Sequence, residues 1–113
     1  MITSLVAAQA AVTEGDAAAL AEATTSTRQA LDYVFYLATF KYLDSDDDTG
    51  SAEGAVFYRG IQPRVAAADP AADAAITAAF SSGDVAAGCT ALNSPAVLNA
   101  LGVDQSEQVT ATA

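Results

Sequence analysis

Three alternating aspartates, Asp44, Asp46 and Asp48, are the residues whose spacing most resembles a metal site. They match the first three ligands of an EF-hand calcium loop, in which carboxylates occupy positions one, three and five. The match then ends, because position six is Thr49 instead of glycine and position twelve is Ala55 instead of glutamate. We prefer to interpret these residues as a solvated acidic turn, and specific divalent-cation binding is the alternative.

A second candidate site combines basic side chains with tyrosines. The chain has only four Lys and Arg residues, and all of them fall on the second and third predicted helices, close to tyrosines. One interpretation is a polar pocket for a small anion, in which the basic groups bind the charge and the hydroxyls orient it. The candidate ligand-binding residues are Tyr36, Lys41, Tyr58 and Arg59. The alternative, which we prefer, is that each basic side chain pairs with a nearby carboxylate or packs on a ring.

Several enzyme classes need residue types that the sequence lacks, so an enzyme is the least favoured of the functional hypotheses. Histidine is absent, so no Ser-His or Cys-His pair and no Glu-x-x-His metal motif can form. The single Cys89 excludes an intramolecular disulfide and a cysteine zinc site, and its position on an apolar helical stripe is typical of a core thiol. We therefore predict a protein that is not an enzyme and needs no cofactor.

Composition indicates an acidic, helical protein. The net charge is −10, with ten Asp, four Glu and a single Lys, and 52% of the residues are apolar, many of them alanine. Alanine is the best helix former, whereas alternating strand patterns are missing. Because such an acidic surface repels nucleic acid and anionic membranes, neither is an expected partner. The Asp-rich, Lys-poor bias is typical of salt-loving archaea; an ordinary acidic protein is the alternative.

The stretch from 31 to 43 contains five of the eight aromatic residues and is expected to organise the fold. At 100° per residue it is apolar on two sides of a helix, which indicates a helix covered by others. One side has Leu31, Phe35, Ala38 and Tyr42, and the other has Tyr33, Tyr36 and Phe40. Its uncharged run is much shorter than the roughly 20 residues of a membrane span, so no span is predicted.

Cap signals and periodicity place the other helices. A first helix over 3–13 has Leu5, Ala8 and Val12 on one stripe, and a third over 53–67 is expected to kink near Gly60 because of Pro63. Aspartate or serine caps, two of them followed by proline, start helices at 70–82, at 85–92 and after Ser94. We predict an all-α fold, a compact bundle of five to six antiparallel helices around a central helix at about 17–43. The bundle domain is expected over 1–102, and a flexible tail or linker over 103–113.

Two segments carry a resemblance to a known family. Residues 36–43 (YLATFKYL) and 57–65 (FYRGIQPRV), joined by the acidic loop, are similar to helical domains of an uncharacterised haloarchaeal family that sometimes accompany halocyanin (blue-copper) domains. The resemblance covers roughly residues 30–80. It implies an extracytoplasmic setting and a module of a longer protein. It implies no copper site here, because such a site needs two histidines.

The functional expectation is a non-enzymatic helical interaction or accessory module of a halophilic archaeal protein. Its partner would be another domain or another protein, and its start lacks the pattern of a secretory signal. The alternative is a helical bundle that binds a small anion or a divalent cation, through the tyrosine and arginine region or through the Asp44–Asp48 loop.

Overall fold

The computed structural model describes residues 1–45 and 48–109 of the chain. Throughout these ranges the regular elements are helices, which confirms the predicted all-α class. The α-helices are α1 (Ile2–Glu14), α2 (Ala17–Leu43), α3 (Asp48–Arg59), α4 (Gln62–Ala68), α5 (Pro70–Ser82), α6 (Val85–Leu92) and α7 (Pro95–Leu101), followed by a short 3-10 helix (Gln105–Glu107). In the described ranges, no helix has both the length and the apolar character needed to cross a membrane.

The chain divides into two compact units, an N-terminal unit (Met1–Leu31) and a C-terminal unit (Asp32–Ala113). The N-terminal unit contains α1 and the first part of α2, and the C-terminal unit contains the rest of α2 and the later helices. The sequence predicted a single bundle domain over 1–102, and the division falls inside that range. The predicted boundary at 102 also leaves out Val103, whose side chain is buried with the core of the C-terminal unit.

The helix boundaries follow the cap residues in the sequence. Asp69 accepts hydrogen bonds from the backbone N–H groups of Ala71 (3.1 Å) and Ala72 (3.0 Å), so that α5 begins with its first donors satisfied. Gly83 then ends α5 with a φ of 74°, a left-handed conformation that glycine adopts without strain. Ser94 is an exception. It precedes Pro95 as predicted, but its hydroxyl makes no cap hydrogen bond to α7.

The predicted third helix over 53–67 is wrong in extent, because the structure has two separate helices, α3 and α4. The break falls at Gly60 and Ile61, whose N–H groups bond to carbonyls three residues back, both at 3.0 Å. Pro63 explains this break, because it has no N–H and its ring crowds the carbonyl of Arg59, four residues earlier. The count of α-helices is consequently seven over the described residues, against the five to six expected.

The core of the C-terminal unit is built mainly on one side of α2. Tyr36, Phe40 and Leu43 are buried there, whereas Phe35 is half-buried and Leu37 is exposed. The expectation that other helices cover both apolar sides of α2 holds for the side of Tyr36 and Phe40, whereas the side of Leu31 and Phe35 is only partly covered. The later helices and the break between α3 and α4 contribute the buried residues Tyr58, Ile61, Val65, Ala72, Ile76, Ala79, Cys89, Leu92, Val97, Leu98 and Leu101.

The N-terminal unit packs through small side chains. Its buried residues are Ala11 on α1 and Ala23 on α2. A cleft of about 310 Å³ lies between these helices and is lined by small or polar groups such as Ser4 and Ser26. Alanine buries little apolar area per residue, so this helix pair gains little hydrophobic stabilisation from its own contact.

Candidate functional site

Tyr36, one of the predicted ligand-binding residues, belongs to an internal hydrogen-bond network. It lies on the buried side of α2, and its hydroxyl donates to Oδ1 of Asn93 at 2.6 Å. The same hydroxyl oxygen accepts a hydrogen bond from the backbone N–H of Val109 at 3.1 Å. Burial raises the pKa of the Tyr36 phenol above its ordinary value, so the hydroxyl stays protonated at neutral pH. Its hydrogen-bonding capacity is therefore directed at the chain itself.

Tyr58, the second tyrosine, belongs to a different network. Its hydroxyl donates to Oδ1 of Asp73 on α5 at 2.9 Å, and the amide of Gln62 donates to the same oxygen at 2.9 Å. The Tyr58 side chain is buried, and burial together with the adjacent carboxylate raises the pKa of its phenol far above the ordinary value. These bonds tie α3 and α4 to α5.

The four predicted ligand-binding residues are not brought into one site by these contacts. Tyr58 and Arg59 line a common cavity of about 220 Å³, together with Gln62. Arg59 is exposed. Lys41 is also exposed, and its Nζ lies 5.3 Å from the centroid of the neighbouring Tyr42 ring, which fits the alternative that basic side chains pack on rings.

The electrostatics of this cavity do not favour an anion. The two neutral donors beside Arg59, Tyr58 and Gln62, already donate to the Asp73 carboxylate. An anion placed there would have to displace these bonds and approach a negatively charged group, which costs energy at close range. The geometry therefore supports a structural role for Tyr58 and Gln62.

Arg64, a third basic residue, forms an ion pair with a buried carboxylate. Arg64 on α4 pairs through Nη2 with Oδ1 of Asp32 on α2, and it also donates to the carbonyl of Gly60 at 3.0 Å. Asp32 is 2% exposed, so this contact removes a carboxylate from water almost completely. Pairing of each basic side chain with a nearby carboxylate was part of the interpretation preferred from the sequence, and Arg64 has such a partner in Asp32.

The predicted cation site falls partly outside the described residues. Asp44 is exposed just after α2, Asp48 begins α3, and Asp46 lies in the segment that is not described. Among the described side chains, to which that of Asp48 does not belong, no group of three or more metal-ligating residues comes together. The loop as a whole stays a sequence-based prediction.

Cys89 is a buried free thiol on α6. Burial raises the pKa of this thiol, and the negative charge of Asp44 raises it further. A thiol of this kind is mainly protonated at neutral pH and is a poor nucleophile. The structure therefore places Cys89 in the core, as its position on an apolar stripe indicated.

A cavity of about 800 Å³ lies beside α3 and α5 and is lined mostly by alanine and serine. Its described lining includes Ser45, Ser51, Ser81 and Ser82, and no ionisable group. Hydroxyl groups without a neighbouring base or a charged group do not supply acid–base or nucleophilic catalysis. This cavity offers no catalytic constellation among the described side chains.

The outer face of α1 is the feature that sequence reasoning missed. Leu5 and Val12 were predicted to share an apolar stripe, yet they are 52% and 64% exposed. Ile2 and Val6 are exposed beside them, whereas the buried residue of α1 is Ala11. On a helical projection the large apolar side chains thus lie opposite the small one. The signal was present in the sequence as a helix with small residues on one side and branched residues on the other.

Comparison of the chain with known proteins adds no relative: no family, no curated protein and no solved structure matches it.

Proposed function

We propose that the protein is a non-enzymatic interaction module that associates with a second copy of itself through the outer face of α1. The observation that supports this proposal is the distribution of side chains on α1. Its branched residues are exposed and its buried residue is Ala11, the reverse of a helix whose large side chains serve its own core. An exposed apolar face of this kind is typical of a protein–protein contact.

The spacing of the exposed residues favours a helix as the partner. Ile2, Leu5, Gln9 and Val12 follow one another at intervals of three, four and three residues, the spacing of a coiled-coil seam. Gln9 lies within the seam, where an unpaired amide would be costly to bury. A two-fold axis near Gln9 would bring it opposite its own copy, and two amides can satisfy each other as donor and acceptor.

Charge also favours association through this face. α1 has a single charged residue, Glu14, at its end, and only three of the fourteen acidic residues precede Asp32. Two copies of a protein with a net charge of −10 repel each other least where they approach through an uncharged surface. The outer face of α1 resembles the seam that one helix contributes to a short coiled coil.

The size of α1 sets the expected affinity. Its 13 residues span about 20 Å, and a helix is about 10 Å wide. Such a contact is far smaller than the roughly 800 Å² per partner of a stable interface, so the dimer is expected to be weak. Molar salt, which screens the acidic charge, should strengthen it.

The biological setting is part of the same proposal. The Asp-rich composition and the resemblance to haloarchaeal helical domains support an accessory module of a halophilic archaeal protein, in an extracytoplasmic setting. In such a protein a weak contact between modules would bring two chains or two domains together.

Sedimentation equilibrium of the full chain at increasing concentration tests the proposal. Val12→Gln and Val56→Gln form a matched pair, because the two valines are 64% and 65% exposed, on α1 and α3 respectively. Val12→Gln should weaken self-association at least about tenfold, and Val56→Gln should leave it unchanged. Both variants should unfold within about 0.5 kcal/mol of the wild type, since neither residue is buried.

Two outcomes would overturn the proposal. One is a chain that stays monomeric at millimolar concentration in molar salt. The other is a Val12→Gln variant that unfolds much more readily than Val56→Gln, because this would mean that the outer face of α1 is already used inside the monomer.

A further inference from the structure

Two side chains from different helical regions hold both backbone groups of Val109. The N–H of Val109 donates to the Tyr36 hydroxyl oxygen at 3.1 Å, and its carbonyl accepts from Nδ2 of Asn93 at 2.7 Å. The Tyr36 hydroxyl in turn donates to Oδ1 of Asn93 at 2.6 Å. The three bonds close a ring in which Tyr36 and Asn93 together offer Val109 an acceptor and a donor, as one residue of a neighbouring strand would.

The two side chains that form this ring also have contacts that do not involve Val109, and one of these is the bond between them. Tyr36 is fully buried and its ring stacks on Tyr33, with centroids 6.1 Å apart, and lies 6.3 Å from the ring of Phe40. Asn93 follows α6 directly, and its N–H bonds to the carbonyl of Cys89 at 3.0 Å. Side chains held in this way lose little conformational entropy when they bind a segment.

The segment 104–109, which ends at the hydrogen bonds of Val109 to Tyr36 and Asn93, makes few other contacts. Gln108 has an extended backbone (φ −60°, ψ 129°), and the residues from 104 to 108 are exposed. Val109 packs its half-buried side chain against the core, and Val103 anchors the other end. Because little apolar surface holds the segment between these two anchors, local opening is expected to be less costly than unfolding.

We infer that Tyr36 and Asn93 form a binding site for the main chain of an extended peptide with a small, β-branched apolar side chain, and that residues 108–109 occupy this site intramolecularly. Recognition through N–H and C=O groups places no demand on flanking side chains, as in the addition of a strand to a sheet edge. The partner class is therefore an extended segment of another chain. This inference does not depend on the outer face of α1.

The bound segment competes at a high effective concentration, of the order of millimolar for a short connection. A free peptide should therefore bind the wild-type protein only weakly. Val109→Pro in the full chain removes the N–H that donates to Tyr36, and the ψ of Gln108 already suits a residue before proline. This variant should release the segment without changing the site.

Binding of a peptide of residues 105–111 to the full-length chain tests the inference, with the side-chain amide signal of Asn93 followed by NMR. The Val109→Pro variant should bind the peptide at least about tenfold more tightly than the wild type. A peptide with an N-methyl group on its valine should not bind, because it has lost the donor. Equal binding of both peptides, or no binding to Val109→Pro, would overturn the inference.

Hydrogen exchange of the Val109 amide is a second measurement that needs no peptide. In the wild type this amide should be protected, and Tyr36→Phe should accelerate its exchange by about tenfold, because the acceptor of its hydrogen bond is lost. Tyr33→Phe is the matched control, since Tyr33 stacks on Tyr36 without bonding to Val109. A Val109 amide that exchanges like an exposed one in the wild type would contradict the site.

Discussion

The guanidinium of Arg64 on α4 pairs with the carboxylate of Asp32 on α2, and Asp32 is almost completely removed from water. Asp32 Oδ1 accepts the hydrogen bond, whereas the buried Oδ2 and the Arg64 Nε have no hydrogen-bond partner among the described residues. A buried pair with such groups left over is not a strong source of net stability, but it is costly to break. It fixes α4 against one side of α2.

Removal of one partner should therefore cost more than removal of both. Arg64→Met leaves a buried carboxylate without its cation and should lower the free energy of unfolding by about 2–3 kcal/mol, near the lower end of the usual range because Arg64 is 33% exposed. The double variant Asp32→Leu with Arg64→Met should recover most of this loss. Arg59→Met, at an exposed arginine, is the control and should change stability by less than about 0.5 kcal/mol. Urea unfolding measures all of these variants, and equal losses in the single and double variants would contradict the buried pair.

Tyr58 should make stability depend on pH on the alkaline side. The pKa of the Tyr58 phenol in the folded protein is raised above the ordinary value of about 10. Above pH 10 the unfolded chain therefore releases this proton first, and the contribution of Tyr58 to the free energy of unfolding is lost as the pH rises. Below pH 10 that contribution is complete. In that pH region each such phenol lowers the free energy of unfolding by about 1.4 kcal/mol per pH unit. Tyr58→Phe should cost about 1.5 kcal/mol at pH 7, through the lost bond to Asp73, and should make the alkaline decline less steep. Urea unfolding between pH 7 and 11 checks both effects, and an unchanged alkaline slope would mean that Tyr58 is not protonated and buried as described.

The net charge of −10 predicts that salt stabilises the fold. Folding brings the carboxylates closer together, and the screening length falls from about 10 Å at 0.1 M salt to about 3 Å at 1 M. The melting temperature should therefore rise from dilute buffer to molar KCl, and the helical circular-dichroism signal should weaken on desalting. A melting temperature that is indifferent to salt would remove the halophilic interpretation.

Calcium and magnesium provide the control for the Asp44, Asp46 and Asp48 loop. If this loop is a solvated acidic turn, millimolar concentrations of the two cations should have the same effect at low ionic strength. If calcium alone restored the stability that molar KCl restores, the loop would be a specific calcium site.

The sequence predicted the fold class and most helix boundaries, because these depend on local chemistry. Gly83 and the pair of Asp69 and Pro70 act on the backbone immediately beside them. The division of the predicted third helix into α3 and α4 was predicted only in part. Pro63 indicated a kink, but whether the chain kinks or breaks completely depends on how the following residues pack.

The side of α2 that is buried could not be predicted from periodicity. Both sides of its aromatic stretch are apolar, and the choice of Tyr36 and Phe40 over Leu31 and Phe35 depends on where the other helices lie. The bonds from Tyr36 to Asn93 and Val109 were also out of reach, since they join residues 57 and 73 positions apart. Of the predicted ligand-binding residues, the structure shows where Tyr36 and Tyr58 direct their hydroxyls, and the sequence could not.

The proposed contact between two α1 helices is tested most directly by cysteine cross-linking at Gln9. The native Cys89 is buried and its thiol pKa is raised, so it should not interfere. Ala10→Cys is the matched control, because Ala10 is also exposed on α1 but points about 100° away from Gln9. If the two-fold axis lies near residue 9, Gln9→Cys should form the disulfide-linked dimer at least about tenfold faster than Ala10→Cys, because only there can two Cα atoms come within about 7 Å. Equal rates for the two variants, or faster cross-linking at residue 10, would contradict association through the outer face of α1.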